Sequence, residues 1–128
     1  RLRKLIENGF FDKNKIDTVF VFGGTNDGWA NAPLGEVKYS DWEENDLFSV
    51  LPAISYYFNL LKETLPQAKI YCLINKYIKP EIVSCFKDVC ERCNITPITF
   101  ETIDIRCGHP TVQGMTDIKD GVLKVLNK

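Results

Sequence analysis

The chain has 128 residues, 45% of them hydrophobic and 26% charged, with a formal net charge of −1. That size suits one domain with a core of its own, and the near-neutral charge excludes a global pull toward nucleic acid or an anionic membrane. No apolar run reaches the length of a membrane span, and no signal-peptide pattern opens the sequence. The start at Arg1 rather than Met leads us to expect a fragment or a processed product.

In chain order, residues 1–9 read as the end of a helix with Leu2, Leu5 and Ile6 on one face and Gly9 as its stop. Residues 15–22 are the first strand, because Thr18-Val19-Phe20-Val21-Phe22 is a run of β-branched and aromatic residues, as in a strand covered on both faces. Residues 28–48 form a long connection whose aromatics favour an ordered, packed loop. Residues 49–65 have helical spacing, with Leu51, Ile54, Phe58, Leu61 and Leu65 toward the sheet, Pro52 tolerated in the first turn and Pro66 as the stop. A second strand spans 69–74. A helix then runs from Pro80 to about Cys93, burying Ile82, Val83, Phe86, Val89 and Cys90. Residues 95–100 are a third strand, and 112–126 a last helix through Met115, Ile118, Val122 and Val125.

This alternation predicts a single α/β domain over residues 1–128: a parallel sheet with right-handed crossovers and helices on both faces. Three strands make a thin sheet, so at least one more strand is expected upstream of Arg1. Five cysteines leave at least one unpaired. Cys90-x-x-Cys93 lies in a helical pattern with no second pair or histidine cluster to complete a zinc set, so ordinary thiols, several of them core-facing, are expected.

Two short segments carry chemistry. Gly23-Gly24-Thr25-Asn26-Asp27 follows the first strand at its carboxyl end, where open α/β sheets place ligands. Its glycines let the backbone turn sharply and approach a ligand, and an amide there can donate to a developing oxyanion. A plain strand-ending turn uses the same residues. The second segment is Cys107-Gly108-His109-Pro110-Thr111, with the only histidine in the chain. Pro110 keeps His109 out of the helical region, so the side chain is presented from a loop on the same rim. An oxyanion donor and a base on one rim are two of the three parts that acyl transfer requires.

Gly24-x-Asn26-Asp27 after a strand, followed by His109-Pro110 before the last helix, resembles the SGNH (GDSL-type) hydrolase superfamily over roughly residues 17–125. The resemblance implies a flavodoxin-like α/β/α sandwich and a bacterial serine esterase or lipase acting on small esters without metal or organic cofactor. It makes Asn26 the oxyanion-hole asparagine and His109 the general base. Two departures stand out. The family's Gly-Asp-Ser nucleophile segment and its second oxyanion glycine would lie upstream of Arg1, and Ser40, Ser49, Ser55 and Ser84 lack that strand–turn setting. The 128 residues alone should therefore be inert unless another segment supplies the serine. The family's orienting Asp stands three residues before the His, where Arg106 occurs here; Asp104, two residues further back, takes the role if the loop bulges, and a backbone carbonyl otherwise.

Asp27 is expected to brace the turn by accepting backbone N–H groups. Trp29 and Trp42 either line a substrate cleft or pack the loop onto the domain, and Asp104 with Arg106 can be read as a solvated loop pair. The expected partners are a small ester, with short acyl or acetyl esters of carbohydrates first and lipids second, and the upstream segment, with no nucleic acid or membrane span. A secreted or periplasmic setting follows only from where many such bacterial esterases work. The other readings are a catalytically inactive relative, or a flavodoxin-like binding module cradling a phosphate on Gly23-Gly24-Thr25. The phosphate reading lacks both loop spacing and an adjacent basic residue.

Overall fold

Three parallel strands, β1 (Thr18–Phe22), β2 (Lys69–Ile74) and β3 (Thr96–Thr99), form the sheet in the order β1-β2-β3. The computed structural model describes residues 1–24 and 31–128. Val21 pairs with Cys72 and Cys72 with Pro97, so the three strands run in step and their carboxyl ends form one rim. The helices among the described residues are α1 (Leu2–Glu7), α2 (Phe10–Lys13), α3 (Val50–Thr64), α4 (Pro80–Cys93) and α5 (Val112–Leu126). A 3-10 segment, Glu44–Phe48, leads into α3.

Side-chain alternation along β2 divides the interior. Ile70, Cys72 and Ile74 enter the larger core, where Phe58 and Leu61 of α3 meet Ile82, Phe86 and Val89 of α4. Leu73 enters a smaller core with Ile98, Phe100 and Ile103, against which Tyr71 and the α5 residues Ile118, Val122 and Val125 pack. The result is a three-layer α/β/α arrangement with a parallel sheet, as the strand–helix alternation requires. Burying a side chain such as Phe58 or Ile82 contributes about 1.5–3 kcal/mol each.

The helix ends follow local chemistry. Pro80 occupies the first turn of α4, and Asn94 closes that helix in the left-handed region, with Ile95 N–H bonded to Cys90 O at 2.8 Å. At α3 the first donors are met by the preceding connection: Val50 N–H reaches Pro33 O and Leu51 N–H reaches Leu34 O, both at 2.9 Å. That connection is packed where it is described. Lys38 pairs with Asp46 at 2.7 Å, holding the Asp46 carboxyl below its usual range, and the Arg92 guanidinium lies 3.7 Å from the Tyr39 ring centre.

Several sequence expectations shift. β1 starts at Thr18 rather than residue 15, and β3 is confined to Thr96–Thr99. The short α2, the 3-10 segment and a two-stranded ribbon near the C-terminus carried no periodic pattern that marked them. Met115 is 60% exposed instead of buried. Cys72, Cys85 and Cys90 are buried free thiols, Cys93 is half-buried and Cys107 exposed. The neighbouring Cys90 and burial push the Cys72 thiol up, and burial takes Cys85 to about 11, so both stay protonated and inert. No helix among the described residues is long and apolar enough to cross a membrane.

Candidate active site

β1 ends at Phe22, and Gly23 and Gly24 turn the chain onto the rim. Gly24 has φ +94°, a conformation that L side chains rarely adopt. A Cβ on it would stand 3.0 Å from Phe86 Cε2 and 3.2 Å from Ile78 Cδ1, whereas a Cβ on Gly23 would meet nothing within 4 Å. The sharp turn is as expected. The close approach at Gly24 is made to α4 and its leading loop, not to open space for a ligand. Asn26, Asp27 and Trp29, assigned from sequence to the oxyanion hole, the turn brace and the substrate cleft, lie outside the described residues.

The histidine segment, which follows β3, is a β-ribbon rather than a plain loop. Strands β4 (Ile105–Arg106) and β5 (His109–Pro110) pair antiparallel, with Arg106 opposite His109 and Ile105 opposite Pro110. Cys107 and Gly108 form the two-residue turn with φ +51° and +78°, the pair of positive angles that tight hairpins require. Directly opposite residues share a ribbon face, so Arg106 and His109 project to the same side. Both are exposed.

Thr111 fastens this ribbon to α5. Its hydroxyl oxygen accepts Gly114 N–H at 3.1 Å, capping the helix, while the hydroxyl donates to the Asp104 carboxylate and Thr111 N–H donates to Asp104 O at 3.0 Å. Asp117 accepts Asp104 N–H at 3.0 Å and the Gln113 amide at 2.9 Å, and these two donors, the Gln113 amide first, lower its pKa. Gly114 is required for close packing, because a Cβ there would lie 2.1 Å from Asp104 O. His109 is thus carried on a short ribbon whose base residues, Asp104 and Thr111, are bonded to each other and to α5.

The sequence matches the GDSL-like lipase/acylhydrolase family over residues 6–126, which takes in both the glycine turn and the histidine ribbon. The chain belongs to that family. Its fold is similar to two crystal structures described as GDSL-like lipases. One is from Bacteroides uniformis ATCC 8492, with 39% identity and a TM-score of 0.83, and the other from Bacteroides ovatus ATCC 8483, with 35% and 0.82. The match covers 87% of this chain in both cases but 52% and 54% of those chains. This chain therefore spans about half the length of those relatives. A protein from Lactobacillus plantarum shares the fold at 14% identity with a TM-score of 0.72, covering 88% of this chain and 67% of that one. Among curated proteins none matches.

In this GDSL-like domain the carboxylate of Asp104 is engaged by the Thr111 hydroxyl, and the ion pairs among the described residues include none between Asp104 and Arg106. The simple loop pair is replaced by a ribbon in which Arg106 is paired through its backbone with His109. Trp42 packs away from the ribbon's elements: its indole N–H donates to Lys38 O at 2.9 Å and its ring meets Tyr56 of α3 edge-on, with centres 5.6 Å apart. Of the four serines, Ser55 is fully buried within α3, and Ser40, Ser49 and Ser84 lie outside any strand end.

Two features of the rim escaped the sequence reading. Asn75, 7% exposed, follows β2 and accepts Tyr77 N–H at 2.9 Å through Oδ1; its signal was a polar residue directly after the apolar Leu73-Ile74. Beside Gly23 an apolar cleft of about 350 Å³ opens between β1 and α3, lined by Val21, Phe22, Ile54, Tyr57 and Phe58. Burial in that setting raises the Tyr57 pKa. Among the described residues no group of three or more His, Cys, Asp or Glu side chains could hold a metal ion.

Proposed function

We propose that this domain is the asparagine- and histidine-bearing part of a serine ester hydrolase acting on small acyl esters, with acetyl or short acyl esters of carbohydrates as the first candidates. Family membership supports hydrolysis of the GDSL type. What supports the site assignment is the ribbon that follows β3 and carries an exposed His109, together with the sharp Gly24 turn that follows β1.

In this reading a serine supplied from outside the 128 residues attacks the ester carbonyl, and His109 takes its proton and returns it to the departing alcohol. Asn26 and backbone N–H groups hold the oxyanion. Asp104, at the base of the ribbon, orients the imidazole, or a backbone carbonyl does so. The apolar cleft beside Gly23 suits the acyl chain. The segment that supplies the serine associates with the exposed edge of β1, whose Phe20 and Phe22 are 47% and 44% exposed. A secreted or periplasmic setting is part of the same proposal, and cell fractionation of the source organism checks it.

The test is turnover of p-nitrophenyl acetate by the full-length protein. His109→Ala should lower kcat by about 10²–10⁴, and Asn26→Ala by about 10²–10³. An absence of turnover, or turnover indifferent to His109→Ala, overturns the reading.

A further inference from the structure

The ribbon that carries His109 also carries a cation with no ionic partner among the described residues. Arg106 is exposed, stands directly across β4–β5 from His109, and takes part in none of the ion pairs among the described residues. The nearby carboxylates have other donors. Asp104 receives the Thr111 hydroxyl, and Asp117 receives the Gln113 amide and the Asp104 N–H. The neighbouring lysines of the rim are engaged by neutral oxygens: Lys76 by Glu101 O and Lys79 by Asn31 Oδ1 at 3.2 Å. The guanidinium of Arg106 therefore keeps its planar fork of five N–H donors available for an incoming anion.

Its position is fixed rather than adventitious. The Cys107-Gly108 turn sets the register of the ribbon, so the residue before the turn faces the same side as the residue after it. A general base of a serine hydrolase passes its proton to the leaving alcohol, so a group beside that base lies on the alcohol side of the ester. We propose that Arg106 recognises an anionic group, a carboxylate above all, on the alcohol portion of the substrate. This deepens the ester-hydrolase reading and rests on it. A bidentate arginine–carboxylate pair orients the alcohol for protonation as well as binding it.

The experiment compares para-acetoxybenzoate with its methyl ester on the full-length protein; the two differ in one charge on the alcohol side and share the acetyl group. The wild type should favour the acid. Arg106→Ala should lower kcat/KM for the acid by about tenfold, one charge-assisted contact, and change the methyl ester by less than about twofold. Arg106→Lys should fall between, because it keeps the charge and loses the fork. The preference should shrink between low and physiological salt. An acid-to-ester ratio equal in wild type and Arg106→Ala overturns the proposal. Loss of the hydrolase reading looks different: the methyl ester itself is then not turned over, or His109→Ala leaves its turnover unchanged.

A second measurement needs no turnover. His109 is the only histidine of these 128 residues, and in the full-length protein its imidazole C–H signals are the ones lost from the proton NMR spectrum of His109→Ala. Titration with para-hydroxybenzoate should move them in the wild type and not in Arg106→Ala. Equal movement in both proteins, or none in either, overturns the assignment of Arg106.

Discussion

The two faces of the sheet are built from similar residues and finished differently. On the α3/α4 face Phe58, Ile82 and Val89 are almost completely enclosed, and β2 contributes Ile70, Cys72 and Ile74 to the same core. On the α5 face the enclosed core is Leu73, Ile98, Phe100 and Ile103, while Phe20, stacked on Tyr71, and the α5 residues Met115 and Leu123 remain exposed. The first face is a close-packed frame whose members cannot shift independently. The second holds α5 by a smaller core and by the hydrogen bonds around Thr111, and it is this side that carries His109. The comparison teaches that the catalytic candidate is positioned by a few directional contacts, while stability is concentrated elsewhere.

The largest test of this contrast is Phe58→Ala in the α3/α4 core. It should destabilise by about 3–5 kcal/mol in denaturant unfolding, the range for truncating a fully packed aromatic. A cost under about 1 kcal/mol would show that the frame relaxes into the cavity and that the faces are not so different. Next comes Gly114→Ala, which forces a Cβ against Asp104 O. We expect a loss of about 1–3 kcal/mol from overpacking together with displaced His109 signals in the NMR spectrum. Unchanged signals would show that the ribbon does not depend on its junction with α5. The smallest effect belongs to Met115→Gln. At 60% exposure it should change stability by no more than about 0.5 kcal/mol, where the heptad-like pattern of α5 alone predicts a core loss.

Met115 also shows where sequence reading stops. The apolar spacing 115-118-122-125 is present in the chain, but the helix meets the sheet only through Ile118, Val122 and Val125. Periodicity names a stripe and not the length of it that finds a partner. The two stripes of α3 and α4 were read almost unchanged, because Leu51, Phe58, Leu61, Ile82, Phe86 and Val89 all enter the one core they share with β2. The glycine turn was legible as a turn, while the reason for Gly24 was not: its missing Cβ makes room for Phe86, more than sixty residues away in sequence.

Local sequence was enough for the α/β class, the order of the three sheet strands and the longer helices, the membership signalled by Gly24-x-Asn26-Asp27 with His109-Pro110, and the core-facing place of several free cysteines. These follow from local periodicity, turn chemistry and residue type, which act over a few positions. Only the tertiary structure decided that His109 stands on a β-ribbon opposite Arg106, that Asp104 is bonded to Thr111, that Trp42 packs on α3, and that β1 keeps Phe20 and Phe22 exposed. Each of those depends on which distant segment arrives as a neighbour. Cross-strand pairing and helix docking choose that neighbour, and no spacing within one segment records the choice.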